Sequence, residues 1–261
     1  MVGGSVKLFD TFAPRYLIPN GVTCVSMVLG FLSIRLSLAG TDAASLAFAA
    51  WLIMYTVLLD KVDGFLARRL KATSEIGVQL DSFSDLVTFG LAPAALFSRA
   101  LPTLAPSTFA HGALAPVLPV VVIAYALAAT LRLAKFNVFA GDSPYFQGLP
   151  STSSGGLLAA AFLAHRELGL GERGAWVLFG WMILNAALMT SNLPMPKLGV
   201  GRQWWVKGLQ GVMVLIAYTM IPLQKFPTFL LSVATTATLF GFVYGAFARR
   251  DPGTTPEASS G

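Results

Sequence analysis

Eight apolar runs follow one another along the chain, at about residues 22–38, 43–60, 76–97, 116–134, 152–164, 175–190, 206–221 and 226–247. They are continuous rather than alternating, which predicts helices instead of strands, and most approach the length needed to cross a bilayer. The second run continues into DGFLARRL without a breaker, so its helix is expected to extend past the hydrocarbon into the interface. A short polar turn at 71–75 follows, where Thr73 and Ser74 are candidate N-caps for the next helix. Prolines and His111 predict a loop over 99–114. GDSPYFQGLPSTSSGG and SNLPMPKLG mark two further connections. Ahead of the first run, Leu8, Phe9, Phe12 and Tyr16 form a helical stripe, with Lys7 and Arg15 among them. Residues 1–19 are therefore expected to lie on the membrane surface. Residues 20–248 read as one integral membrane domain, and the polar segment 249–261 as a disordered cytoplasmic tail. The expectation is an all-α, polytopic membrane helix bundle of eight spans.

Composition agrees. Of 261 residues 55% are hydrophobic and 11% charged, with a mean hydropathy of +0.70, which excludes a soluble globule. The net charge of +6 fits the cytoplasmic flanks of spanning helices. No basic run is interleaved with aromatics, so nucleic acid is not an expected partner. Cys24 is the single cysteine, which excludes an intrachain disulfide and a cysteine metal cluster. Eight spans would place twelve lysines and arginines on one side and five on the other, and the richer side holds both termini and the acidic cluster. By the positive-inside rule that side is the cytoplasm, the inner face of the inner membrane in a bacterium.

The acidic cluster is the outlier in this pattern. DKVDGFLARRLKATSEIGVQLDSFSD, residues 60–85, holds four aspartates, equal to a third of the twelve acidic residues, and joins two apolar runs. Acids at membrane depth are costly and are kept for function. Asp60 and Asp63 are three apart, and Asp81 and Asp85 four apart. Each pair therefore shares a helix face, and the two faces can meet as a cage of oxygens. An all-oxygen site suits Mg²⁺ or Mn²⁺. Gly64 and Gly77 leave room against bare backbone, and the guanidinium of Arg68 suits a phosphate oxygen. Carboxylates, a divalent ion, glycines and an arginine together point to a diphosphate ligand.

Written as D-x2-D-G-x2-A-R-x8-G-x3-D-x3-D, the stretch is satisfied by Asp60, Asp63, Gly64, Ala67, Arg68, Gly77, Asp81 and Asp85. This pattern resembles the signature of the CDP-alcohol phosphatidyltransferases at all eight fixed positions. The resemblance covers residues from about 19 to 200. It implies a core of six membrane helices around a cavity open to the cytoplasm, here with two further helices, and a homodimer. It also implies that Asp60, Asp63 and Asp81 bind metal, and that Asp85 joins them at the metal and acts as general base. PNGVT at 19–23 looks like the family's entry to the first helix, where Asn20 and Thr23 would contact the cytidine or the metal site. The nucleotide-binding set is then Asn20, Thr23, Asp60, Gly64, Arg68, Thr73 and Gly77. An alcohol attacking phosphorus must lose a proton, and the departing CMP must have its charge neutralised. Two ions about 4 Å apart can serve both ends of such an in-line displacement.

The acceptor is less directly encoded. LRLAKFN at 131–137, FQGLPS at 146–151 and SNLPMPK at 191–197 resemble segments of the phosphatidylserine synthase branch. That branch usually has arginine where Lys135 stands, and proline and alanines where Thr152, Ser153 and Ser154 stand. Serine is a zwitterion whose carboxylate needs a cation, and Arg132, Lys135 and Lys197 lie at the cytoplasmic ends of expected helices. The expected partners are thus CDP-diacylglycerol, serine and membrane lipids. Choline, inositol or glycerol phosphate are the alternative acceptors, and a cation or proton transporter is the alternative from another class.

Overall fold

The computed structural model describes residues 14–40, 42–72, 74–139, 145–196 and 204–248. All eight apolar runs are helical: α1 (Pro14–Ala39), α2 (Ala43–Arg69), α3 (Glu75–Asp85) leading through a π-helical turn (Leu86–Leu91) into α4 (Ala92–Leu104), α6 (Val117–Phe139), α7 (Ser151–Leu168), α8 (Gly171–Thr190), α9 (Trp204–Leu223) and α10 (Pro227–Ala248). Among the described residues, five helical stretches are long and apolar enough to cross a membrane: α1, α2, the α3–α4 unit, α6 and α10. The chain is an integral membrane protein. The outward face of α6 shows why: Val120, Ile123, Leu127 and Leu131 recur at helical spacing and are all more than half exposed. A stripe of that kind is stable against lipid and not against water.

Three expectations need correction. The segment at 99–114 is not simply a loop, because α4 runs on to Leu104 and a short helix, α5, covers Pro106–Phe109. The first helix begins at Pro14 and passes through Pro19 without a break. The bundle also carries a two-stranded antiparallel ribbon, β1 (Tyr145–Gln147) on β2 (Pro194–Pro196), so all-α holds for the spanning helices alone. Pro194 and Pro196 lack the amide that a continued helix requires, and an edge strand tolerates both. The ribbon ties the exit of α6 to the exit of α8, and α10 lies on it so closely that a Cβ on Gly245 would collide with the Pro194 carbonyl.

Helix α7 is the internal post. Gly155, Gly156 and the alanines 159–161 keep it thin, and most of its length is buried. A Cβ on Gly155 would stand 2.9 Å from Phe89 Cα, so α7 meets the π turn backbone to backbone. The turn itself has a local cause. Pro93 has no N–H to donate to the Phe89 carbonyl one helical turn before it, and the next bond, from Ala92 N to Val87 O, spans five residues. The Tyr125 hydroxyl of α6 supplies the missing donor to Phe89 O at 2.8 Å. The extra residue in the turn resets the rotation of α3 relative to α4, and α3 carries two of the four aspartates.

Candidate active site

Helix α2 brings Asp60 and Asp63 to its last three turns, and α3 returns beside it with Asp81. The reversal at 70–74 is tight: Lys71 takes a left-handed conformation with φ 48°, and the Ser74 hydroxyl caps α3 by accepting from Gly77 N at 3.0 Å. One carboxylate oxygen from each of Asp60, Asp63 and Asp81 lies within 4.8 Å of the others. Asp63 is buried. It accepts from Thr23 Oγ1 at 3.0 Å and from Gly64 N at 2.6 Å. Asp60 pairs with Lys61 at 3.0 Å. Asp81 has no hydrogen-bond partner among the described residues.

Three carboxylates this close repel one another, and the single lysine at Asp60 does not balance them. Their free lone pairs converge, and every donor is a hard oxygen. These are the requirements of a divalent cation such as Mg²⁺ or Mn²⁺, and the three residues can bind one.

Helix α1 holds the two acidic helices in register. The Thr23 hydroxyl reaches Asp63 on α2, while its carbonyl accepts from Ser84 Oγ on α3 at 3.3 Å. A Cβ on Gly77 would lie 3.2 Å from Asn20 Oδ1, so the Asn20 carboxamide rests on the first turn of α3. Arg68 folds back over Gly64, its Nη1 3.4 Å from where a Cβ would be. Asn20, Thr23, Gly64, Arg68 and Gly77 are thus brought together around the carboxylates. Thr73 and Lys197 lie outside the described residues.

Asp85, one turn beyond Asp81 on α3, has its own hydrogen-bond partner. Its Oδ2 accepts from the Ser151 hydroxyl at the head of α7 at 3.1 Å, and Arg132 Nη1 donates to the same hydroxyl at 2.8 Å. Arg132 therefore faces Asp85 across one serine. Lys135 is committed elsewhere, donating to Asn192 Oδ1 at 2.7 Å and tying α6 to the turn after α8. Sequence reasoning missed Ser151 and Asn192. Both lie inside the stretches FQGLPS and SNLPMPK, so the signal was a polar residue at the edge of an apolar run in a segment already singled out.

The profile of the CDP-alcohol phosphatidyltransferase family matches residues 16–192, which span every residue of this site that the structure describes. The chain is similar to proteins named CDP-diacylglycerol–serine O-phosphatidyltransferase from Mycobacterium leprae (31% identical, 70% of this chain and 59% of that protein) and Helicobacter pylori J99 (30%, with 70% and 73%). It is also similar to an archaetidylserine synthase from Methanothermobacter thermautotrophicus (31%, with 70% and 72%). The chain thus spans about three fifths of the length of the mycobacterial relative. With the eight-position motif assembled as described, the matched segment establishes that this chain belongs to the CDP-alcohol phosphatidyltransferase family.

Proposed function

We propose that this protein transfers the phosphatidyl group of CDP-diacylglycerol to the hydroxyl of serine, forming phosphatidylserine and CMP. The observation that carries the reading is the pairing of two polar groups. A carboxylate triad fit for a cation sits beside a carboxylate–serine–arginine arrangement fit for a hydroxy acid. The names of the similar proteins support serine as the acceptor.

Asp60, Asp63 and Asp81 would hold divalent ions, Mg²⁺ or Mn²⁺ and two in number, with Asp85 at the margin of the site. When bound, the ions supply positive charge to the diphosphate and to the departing CMP. Arg68 lies over Gly64 where its fork can take a phosphate oxygen, and Asn20, Thr23, Thr73 and Gly77 shape the nucleotide side. Asp85 accepts the proton of the serine hydroxyl as that oxygen bonds to the phosphorus bearing diacylglycerol. Arg132 takes the serine carboxylate, with Lys135 and Lys197 adding positive charge farther out. We further propose eight spans with the site facing the cytoplasm, residues 1–19 at the interface, a disordered tail at 249–261, and a homodimer.

An acceptor panel tests this reading. Radiolabelled CDP-diacylglycerol is incubated with Mn²⁺ or Mg²⁺ and serine, inositol, glycerol phosphate or choline. Metal-dependent release of CMP with labelled phosphatidylserine is the expected result. Labelled product from another acceptor in preference to serine overturns the assignment, and ion flux into liposomes with no CMP formed points to a transporter.

A further inference from the structure

Ser151 occupies an unusual position. It is fully buried, it opens α7, and its hydroxyl is the only link between Arg132 and Asp85 among the described residues. The hydroxyl accepts from a guanidinium on one side and donates to a carboxylate on the other. Arg132 Nε, meanwhile, is buried without a partner among the described residues. A guanidinium with one nitrogen unsatisfied is prepared for a second acceptor, and a carboxylate offers two oxygens in the matching plane.

Free serine carries both complements. Its hydroxyl can take the place of the Ser151 hydroxyl on Asp85, and its carboxylate can take the unpaired Arg132 Nε together with Nη2, the nitrogen on the same edge of the guanidinium. Ser151 therefore already makes, on Asp85, the hydroxyl contact that an arriving hydroxy acid would make, and leaves the Arg132 Nε edge for its carboxylate. We propose that Ser151 is a resident stand-in for the acceptor, keeping Asp85 engaged until serine displaces it and so denying water the same place.

This inference rests on the roles of Asp85 and Arg132 proposed above. Without the hydroxyl, a water can bridge Arg132 Nη1 and Asp85 Oδ2, since the gap is polar on both sides. That water would then react in place of the alcohol. Its oxygen forms the new bond to the phosphorus bearing diacylglycerol, its proton passes to Asp85, and the bond to CMP breaks with the electron pair leaving on CMP. The products are phosphatidic acid and CMP. Ser151 acts through Asp85, so it is a positioning residue that sets the choice between alcohol and water.

The test measures a product ratio, which a merely structural role would not move. Purified full-length protein with CDP-diacylglycerol and Mn²⁺ is assayed with and without serine for phosphatidic acid and phosphatidylserine. Ser151→Ala is expected to raise phosphatidic acid per CMP released by about tenfold over wild type, the order expected when one ordinary hydrogen bond leaves a competition. Its apparent KM for serine should fall, because the resident competitor has gone. Ser151→Thr keeps the hydroxyl and should keep the low ratio. If the alanine variant does not fold, Ser151→Cys, similar in size but a weak donor, carries the test with a smaller rise. A ratio equal to wild type in whichever folded variant is measured overturns the proposal. Wild type that makes phosphatidylserine while the variants do not leak rejects the stand-in alone. Wild type that makes no phosphatidylserine from serine rejects the functional reading beneath it.

Discussion

Two polar clusters inside this bundle solve opposite problems. The first is neutral. Tyr125 donates to the Phe89 carbonyl at 2.8 Å and lies 3.2 Å from Ser154 Oγ, which donates to Asn185 Oδ1 at 3.1 Å, and Asn185 in turn donates to Trp181 O at 2.8 Å. All three side chains are buried, and α6, α7, α8 and the π turn are joined through them. The second cluster is Asp60, Asp63 and Asp81, charged alike, with donors for two members and none for Asp81 among the described residues. A fold that keeps polar groups for its own stability saturates them, because an unpaired one costs about 1–3 kcal/mol. A fold that keeps them for a ligand leaves them under-supplied. Between these two clusters the supply of donors distinguishes scaffold from site without reference to any relative.

The sharpest way to break that contrast is Asp81→Asn. If the triad is reserved for a cation, turnover should fall by at least about 10²-fold, the scale seen on losing one electrostatic contact in an active site. Stability should move the other way: without metal, removing one of three like charges should leave Tm at or above wild type. Saturating Mn²⁺ should raise the wild-type Tm, by the equivalent of about 2.7 kcal/mol at a hundredfold excess over Kd, and should raise the variant much less. A variant that keeps both turnover and the metal-induced shift would show that Asp81 is not a ligand.

Tyr125→Phe probes the other cluster. It orphans the Phe89 carbonyl that Pro93 already leaves without a helical partner, at a cost of about 1–3 kcal/mol. Tm should fall, while the shift on adding Mn²⁺ should stay that of wild type. A metal response lost with Tm intact would place Tyr125 in the site and erase the distinction between the clusters.

The sequence made the two clusters unequally visible. Asp60, Asp63 and Asp81 could be read because helical spacing alone puts charges on one face, and burying charge leaves an obvious mark in an apolar run. Asp85 was grouped with them by the same spacing. Four residues along α3 is about 6 Å of rise, and the hydrogen-bond partner there, Ser151, lies 66 positions later, where no periodicity can locate it. The neutral cluster left almost no mark, since tyrosine, serine and asparagine scattered through apolar runs look like ordinary lapses in hydropathy. Ser154 was seen only as a departure from the family's usual alanine, and its reason becomes plain once Tyr125 and Asn185 are beside it. The π turn depends on Pro93, whose effect falls on a carbonyl one turn earlier. The ribbon depends on pairing between segments about fifty residues apart, Tyr145 with Pro196 and Gln147 with Pro194. Lys135 read as a free cation because its partner, Asn192, belongs to a different connection.

The smallest expected effect concerns an acid that serves the fold. Asp42 caps α2 at the end away from Asp60, accepting from Ser45 N at 3.2 Å and from the Ser45 hydroxyl. Those hydrogen bonds hold its carboxyl below the usual carboxylate range. In the unfolded chain it titrates near the ordinary value of about 3.9. The folded state therefore binds fewer protons there, so the cap stabilises fully above the unfolded value and fades as pH falls through the folded one. Asp42→Ala should lower Tm slightly at pH 7, and its gap from wild type should close in the acid range. The shift on adding Mn²⁺ should match that of wild type. A gap that persists unchanged into strong acid would mean that the cap does not depend on ionisation. A gap that depends on Mn²⁺ would mean that an acid supplied with two donors can still behave as a ligand, and the number of donors would then fail as the mark that sets Asp81 apart.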